Sequence, residues 1–264
     1  MNDDQVALWN GRAGQSWTDG QQLLDAMYLP FEQELVDAAT SEGAKRVLDV
    51  GCGTGATTLA VARLPGVHCT GVDVSRPMLE LARRRGEGTR ASFVEGDAQS
   101  HAFQGFDLIV SRFGVMFFAD PVRAFTNLRA AGSALHVITW RAHGENAFML
   151  EAERAAAPLL PQLPARDLNG PGQFGLADPE RTRDILRQSG WSEIDVEPLD
   201  VLCTFPASEL LRYLTRLGPL GVMLPDLDEA LRERVLETVL RAFEPYVFGD
   251  EVRFLAACWT VRAR

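Results

Sequence analysis

Across residues 21–39 the apolar side chains Leu23, Leu24, Met27, Phe31, Leu35 and Val36 recur at three- and four-residue spacing, one face of a helix. Pro30 falls inside that stripe and predicts a kink or a division into two helices, because proline lacks an amide donor and crowds the preceding turn. From residue 45 the pattern changes. Short apolar runs at 45–50, 67–72, 92–95, 106–110 and 134–139 alternate with helical segments, as in a parallel sheet covered on both faces. Segments 194–202 and 252–261 read as two more strands, giving seven.

The helices between the strands carry start and stop signals. Ser75 with Pro77 opens one that Gly86 closes; Asp120 with Pro121 opens another, striped by Val122, Phe125 and Leu128; Asp178 with Pro179 opens a third that stops at Gly190. Two segments interrupt the alternation. Residues 141–177, with Pro158, Pro161, Pro164, Gly170, Pro171, Gly172 and Gly175, read as a short helix and a proline-rich loop. Residues 206–247 read as two helices, the second over 226–243 with Leu227, Leu231, Val235 and Val239 one turn apart. The expected organisation is one domain of Rossmann-like α/β class with a seven-stranded, mostly parallel sheet. A helical cap occupies 1–42, the core 43–140, pocket-forming insertions 141–177 and 206–247, and the remaining helix and strands 178–205 and 248–264.

Composition narrows the partners. The 264 residues carry a net charge of -10, which argues against a surface built to neutralise phosphates, so nucleic acid and anionic membrane are poor candidates. Cys52, Cys69, Cys203 and Cys258 form no C-x-x-C pair and no metal-ligand spacing with the histidines, so no metal is expected and a reduced, cytoplasmic protein is. The start, MNDDQVALWN, lacks the basic-then-apolar order of a signal segment, and no later run approaches a membrane span.

The chemistry lies at the strand ends, where open parallel sheets bind ligands. Residues 47–56, VLDVGCGTGA, run from a strand into a glycine turn that satisfies both G-x-G-x-G and the dinucleotide variant G-x-G-x-x-A. Asp73 ends the second strand and can accept from both hydroxyls of a ribose. Glu95-Gly96-Asp97-Ala98 follows the third, and Ser111-Arg112-Phe113-Gly114 the fourth. A pyrophosphate would find Asp97 electrostatically unhelpful. The sulfonium and ammonium of S-adenosylmethionine suit a ring containing Asp49, Asp73 and Asp97, with the turn's amides left to face the methionine carboxylate and the sugar.

These stretches resemble class I S-adenosylmethionine-dependent methyltransferases of the ubiquinone and menaquinone biosynthesis branch. VLDVGCGTG (47–55) is similar to that family's first motif, GVDVSRPML (71–79) to its second, FVEGDA (93–98) to its adenine-side segment, and FDLIVSRFGVMFFADP (106–121) to its fourth strand and following turn. The resemblance implies that Asp49, Gly51, Cys52, Gly53 and Gly55 line the methionine half and that Asp73 holds the ribose. It places Val74 and Met78 on the adenine, Gly96, Asp97 and Ala98 at its polar edge, and Ser111, Arg112 and Phe113 near the sulfonium. Trp9-Asn10-Gly11 and Trp17 resemble the segment that folds over the cofactor. The family's Leu-x-Pro-Gly-Gly turn before strand five is replaced here by the shorter Leu128-Arg129-Ala130-Ala131-Gly132-Ser133.

Each residue also has a plainer reading. Asp97 alone fits a solvated loop acid, Met78 fits core packing, and the run Arg83-Arg84-Arg85 suits a helix C-terminus in solvent. His136 reads as a packed strand residue. His143 can serve as a general base where the chain leaves the sheet, and Arg112 can orient an anionic substrate or pair with a neighbouring acid. The expected activity is methyl transfer to a small, largely apolar acceptor, with S-adenosyl-L-homocysteine as the product and a monomer or homodimer as the assembly. The alternatives are an NAD(P)-dependent oxidoreductase and a non-catalytic S-adenosylmethionine-binding module. Leu210 to Leu214 and Leu220 to Leu224 fit an acceptor pocket, a domain core or a dimer contact equally.

Overall fold

The computed structural model describes residues 2–163 and 170–264, so Pro164 of the proline-rich loop lies outside the described residues. Four helices lead in: α1 (Asp3–Asn10), α2 (Arg12–Asp19), α3 (Gln21–Met27) and α4 (Leu29–Ser41). The division predicted at Pro30 falls at Tyr28, and Pro30 sits in the first turn of α4, where its missing amide would have no partner anyway. The stripe Leu23, Leu24, Met27, Phe31 and Leu35 is buried against the sheet.

The alternating region contains β1 (Arg46–Val50), α5 (Ala56–Ala62), β2 (His68–Asp73), α6 (Arg76–Arg85), β3 (Ala91–Glu95), β4 (Phe106–Arg112), α7 (Pro121–Ala131) and β5 (Gly132–Trp140). After it come α8 (Ala147–Ala156), α9 (Pro179–Gln188), β6 (Asp195–Pro206), α10 (Leu210–Arg216), α11 (Gly218–Met223), α12 (Glu229–Phe243), β7 (Val247–Phe248) and β8 (Glu251–Ala263). The sheet order is β3-β2-β1-β4-β5-β8-β6, with β7 paired to β8. All pairs from β3 to β5 are parallel, and β8 runs antiparallel to both β5 and β6. This is the expected mostly parallel Rossmann-like sheet, with the two-residue β7 added to the seven predicted strands. The order reverses between β1 and β4, which puts the crevice of such a fold above the ends of β1, β2 and β4.

Asp120 caps α7 by accepting from the Arg123 amide at 3.0 Å, and Asp178 caps α9 by accepting from the Glu180 amide at 2.9 Å. The shortened turn before strand five costs no pairing. α7 passes directly into β5 at Gly132, whose backbone is extended and pairs with Phe106. The space there is tight, since a Cβ on Gly132 would sit 3.1 Å from the Phe106 carbonyl oxygen.

Segment 206–247 holds three α-helices rather than two. α10 and α11 are split at Leu217 and Gly218, and α12 begins at Glu229 rather than 226 because Asp228 accepts from the Leu231 amide at 2.9 Å. Leu210, Leu214, Leu220 and Leu224 are buried in the common core, which places these leucines in packing, while Leu211 is exposed. Phe148 of α8 anchors the region. Its ring stacks on Phe254 at 4.0 Å and meets Phe205, Phe243 and Tyr246 edge-on. His136 is buried in β5 with Nε2 2.9 Å from Thr260 Oγ1, and burial lowers its pKa to about 4. Among the described residues no helix is long and apolar enough to cross a membrane.

Phe148→Ala should destabilise the protein by about 3–5 kcal/mol, the usual cost of emptying a buried phenylalanine site. A urea unfolding midpoint unchanged from wild type would contradict this account of the cluster.

Candidate active site

The glycine turn folds tightly because β1 and β4 end in backbones that nearly touch. Gly51 has φ +69, and a Cβ there would lie 2.6 Å from Gly114 Cα, so no side chain fits. Gly53 is the open position, where a Cβ would meet only Met78 Sδ at 3.6 Å. Gly55 faces the ring of Phe93 and Ala82, which makes it a packing contact between α5 and its neighbours, and Cys52 points its sulfur at Gly71. The amides do not project freely as expected. Those of Gly51 and Cys52 both donate to the Val72 carbonyl, at 2.8 and 3.1 Å, that of Gly55 to the Cys52 carbonyl, and that of Gly53 to the Asp73 carboxylate at 2.8 Å. Closing the end of the parallel β1–β2 pair consumes them.

Asp49 is buried and accepts from Thr58 Oγ1 at 2.6 Å; burial nonetheless pushes its pKa up to about 6. Asp73 is also buried and raised for the same reason, opposed by the amides of Gly53 and Ser75, each at 2.8 Å. The expectation that Ser75 caps α6 with its side chain is corrected. Its hydroxyl donates instead to the Trp9 carbonyl at 2.7 Å. Asp97 accepts from the amide and side chain of Gln99, and the Ala98 carbonyl accepts from Asn127 at 2.8 Å, so the loop after β3 is braced internally. Gly96 donates to the Asp73 carbonyl, and the imidazole of His101 packs where its side chain would be.

After β4, Ser111 is a brace: its hydroxyl donates to the Val50 carbonyl at 2.7 Å and accepts from the Gly114 amide at 3.0 Å. Phe113 takes φ +67, unusual for a bulky residue, and is held there by stacking on Trp140 at 4.5 Å and edge contacts with Tyr28 and Phe31. Arg112 is half-buried with its guanidinium over the Tyr28 ring at 5.8 Å. His143 is exposed on the turn after β5, and its ring contact is with Phe174 at 6.1 Å, which does not join it to this aromatic group.

The N-terminal helices are latched onto the loop between β2 and α6. Asn10 donates to the Val74 carbonyl at 2.8 Å and accepts from the Arg76 amide at 2.9 Å, flanking Ser75 on both sides. Trp9 meets Trp17 at 5.8 Å and Phe117 at 5.2 Å, both edge-on. At Gly14 a Cβ would lie 1.9 Å from the Trp9 carbonyl oxygen, so α2 packs on this turn only because that residue is glycine. Sequence reasoning missed Gly14 and Thr58, and it found Asn10 only as part of Trp9-Asn10-Gly11, without its bonds to Val74 and Arg76. It also placed Arg85 in solvent, whereas Arg85 bridges the Thr54 carbonyl at 2.7 Å and Asp25 at 2.5 Å, tying the glycine turn to α3. An open cleft of about 490 Å³ lies beside the latch, lined by Asn10, Gly11, Arg12, Gln15, Arg76, Pro77 and Glu80, and contains none of the strand-end acids.

The donor set suits an adenosyl sulfonium. Asp49, Asp73 and Asp97 supply acceptors at the strand ends; at the start of the chain, Asn2 Oδ1 and Gln5 Oε1 are buried with no donor among the described residues. Fold and site together define a doubly wound α/β domain with buried acids at its strand ends and helices latched over the loop between β2 and α6. A family model for a methyltransferase domain matches residues 47–132. Demethylmenaquinone methyltransferase of Thermus thermophilus is 35% identical over 130 residues, 46% of this chain and 59% of that relative, so the chain spans less than two thirds of its length. Trans-aconitate 2-methyltransferase of Pseudomonas paraeruginosa is 27% identical over 231 residues, 81% of this chain and 79% of that protein. Among solved structures, an O-methyltransferase of Brevibacillus brevis in complex with S-adenosyl-L-homocysteine shares the fold, with TM-score 0.50, 17% identity, and coverage of 88% of this chain and 71% of that one. Over residues 47–132 the chain is thus similar to a methyltransferase domain, and its fold is the one these S-adenosylmethionine-dependent enzymes share.

Two outcomes follow from this geometry. A carboxyl group whose folded pKa is raised makes stability fall as pH climbs from its unfolded value to its folded one. Asp49 should therefore lower stability between about pH 4 and about pH 6, by up to about 3 kcal/mol. Asp49→Asn, which keeps an oxygen for Thr58, should gain on wild type over that interval in urea midpoints. The comparison isolates Asp49 from His136, whose depressed pKa acts with the opposite sign. Asn10→Ala removes two hydrogen bonds worth about 1 kcal/mol each and should speed amide exchange in α1 and α2 about 5- to 30-fold. Unaltered exchange there would mean the latch does not hold the cap.

Proposed function

We propose that the chain transfers the methyl group of S-adenosylmethionine to a small, largely apolar organic acceptor. On this reading a single domain holds the cofactor in residues 43–140, caps it with 1–42, and shapes the acceptor side with 141–177 and 206–247. The observation that carries the reading is the pairing of engaged turn amides with the acids Asp49, Asp73 and Asp97. A pyrophosphate would need free amide donors at that turn, and the acids would repel it. A sulfonium, an ammonium and ribose hydroxyls need acceptors instead, which favours S-adenosylmethionine over NAD(P).

The bound cofactor supplies a methyl group already activated on cationic sulfur. What remains for the protein is to align the acceptor with that methyl and to exclude water. Asp73, with two lone-pair positions left after its amide bonds, accepts from the ribose hydroxyls. Met78, buried against Gly53, and Val74 provide the apolar side for the adenine, with Gly96, Asp97 and Ala98 at its edge. Trp9 and Trp17 keep the cap closed over the strand ends. Tyr28, Phe31, Phe113 and Trp140 border the acceptor side with aromatic rings, which suits a ring-bearing acceptor such as the demethylmenaquinone named for the Thermus relative. His143, exposed on its turn, leaves orientation as the main device. The four buried thiols fit a reducing, cytoplasmic setting.

S-adenosylhomocysteine should raise the melting temperature of the protein, and NADH at equal concentration should not. Asp73→Ala should weaken S-adenosylhomocysteine about 10- to 100-fold, the loss of a charge-assisted acceptor pair. Stabilisation by NADH alone would sink the reading, and unchanged affinity in the variant would sink the ribose assignment.

A further inference from the structure

We propose that Arg112 is the carboxylate-recognition residue of this site, receiving either the α-carboxylate at the amino-acid end of the cofactor or a carboxylate on the acceptor. The inference rests on the methyl-donor reading above. Its basis is the sheet register. Asp49 lies opposite Val110, and Arg112 is two residues further along β4, so it shares that face and stands one step closer to the carboxyl end of the sheet.

The guanidinium there is fixed but not neutralised. Nη1 donates to the Tyr28 carbonyl at 3.3 Å, and the group lies over the Tyr28 ring, which orients its plane. Among the described residues no carboxylate comes within 4 Å of it, although other partly buried arginines are paired. Arg85 meets Asp25, Arg141 meets Asp200, and Arg183 meets Glu180. One of its five donors is used by Tyr28, which leaves a fork for a planar anion.

The surroundings favour a ligand over a hidden internal partner. Asp49 already accepts from Thr58, and both Asp49 and Glu32 feel the arginine's charge as a pull toward their ionised forms. A guanidinium facing two acids that it does not touch is the arrangement that binds both ends of a zwitterion, or an anion beside a cationic sulfur. The engaged amides of the glycine turn sharpen the need, because a carboxylate in this crevice has few other donors.

The test uses the full chain and calorimetric titration with two nucleosides. S-adenosylhomocysteine carries the amino-acid end; 5′-methylthioadenosine shares its adenosine and sulfur but lacks that end. If Arg112 holds the cofactor's carboxylate, Arg112→Met should weaken S-adenosylhomocysteine about 10- to 100-fold and leave 5′-methylthioadenosine unchanged, with Arg112→Lys between. If it serves the acceptor, both nucleosides should bind all three proteins alike. Trans-aconitate or 1-naphthoate should then bind the S-adenosylhomocysteine-saturated wild type and lose at least tenfold in Arg112→Met. The proposal is overturned if Arg112→Met changes neither the preference between the nucleosides nor the binding of these carboxylates. Wild type that binds neither nucleoside overturns the methyl-donor reading itself, and with it this assignment. Matching melting temperatures for the ligand-free proteins separate a binding defect from misfolding.

Discussion

One buried carboxylate organises the site. Asp73 accepts from the amide of Gly53 in the glycine turn and from the amide of Ser75 at the start of α6, so a single side chain fixes two strand-end loops. Burial opposes ionisation of that acid and outweighs the backbone amide bonds that favour it, so its pKa stays raised. The Val72 carbonyl completes the junction with the amides of Gly51 and Cys52. The neighbouring contacts presuppose this geometry. Gly114 can lie against Gly51 only where the turn is held down, and Asn10 can clasp Val74 and Arg76 only where their backbone is already set.

The legible parts of the fold are those with local causes. Alternating apolar runs found the strands of the sheet, and proline beside aspartate found the starts of α7 and α9, because caps and propensities act within a few residues. The glycine motif was legible as a turn, but the use of its amides was not, since their acceptors belong to β2. Ser75 shows the same limit: it has the composition of a cap, yet a carbonyl contributed by Trp9, sixty-six residues earlier, takes its hydroxyl. Arg85 looked like surface charge because a helix end explains an arginine adequately on its own. Gly14 carried no local signal at all, and its reason appears only when α2 meets the turn after α1.

The aromatic residues divide into two groups with different duties. Tyr28, Phe31, Phe113 and Trp140 lie where the lead-in helices meet the ends of β4 and β5, and the unusual backbone of Phe113 is sustained by that stack. Phe148, Phe205, Phe243, Tyr246 and Phe254 weld α8 and α12 to the last two long strands. Both groups belong to the common core, the first joining the lead-in helices to the sheet and the second joining the later helices to it.

The antiparallel pair of β6 and β8 matters beyond its place at the sheet edge. Pro206 lies opposite Glu251, and the Ala207 amide donates to the Asp250 carbonyl at 2.7 Å, so everything between leaves and re-enters the structure at one point. The helices of that interval leave and rejoin the sheet at one hairpin mouth, and between those points they pack on α8 through Phe243 and Tyr246 against Phe148. A change of length in this excursion would therefore be felt in the packing of α8 as well as at the hairpin mouth.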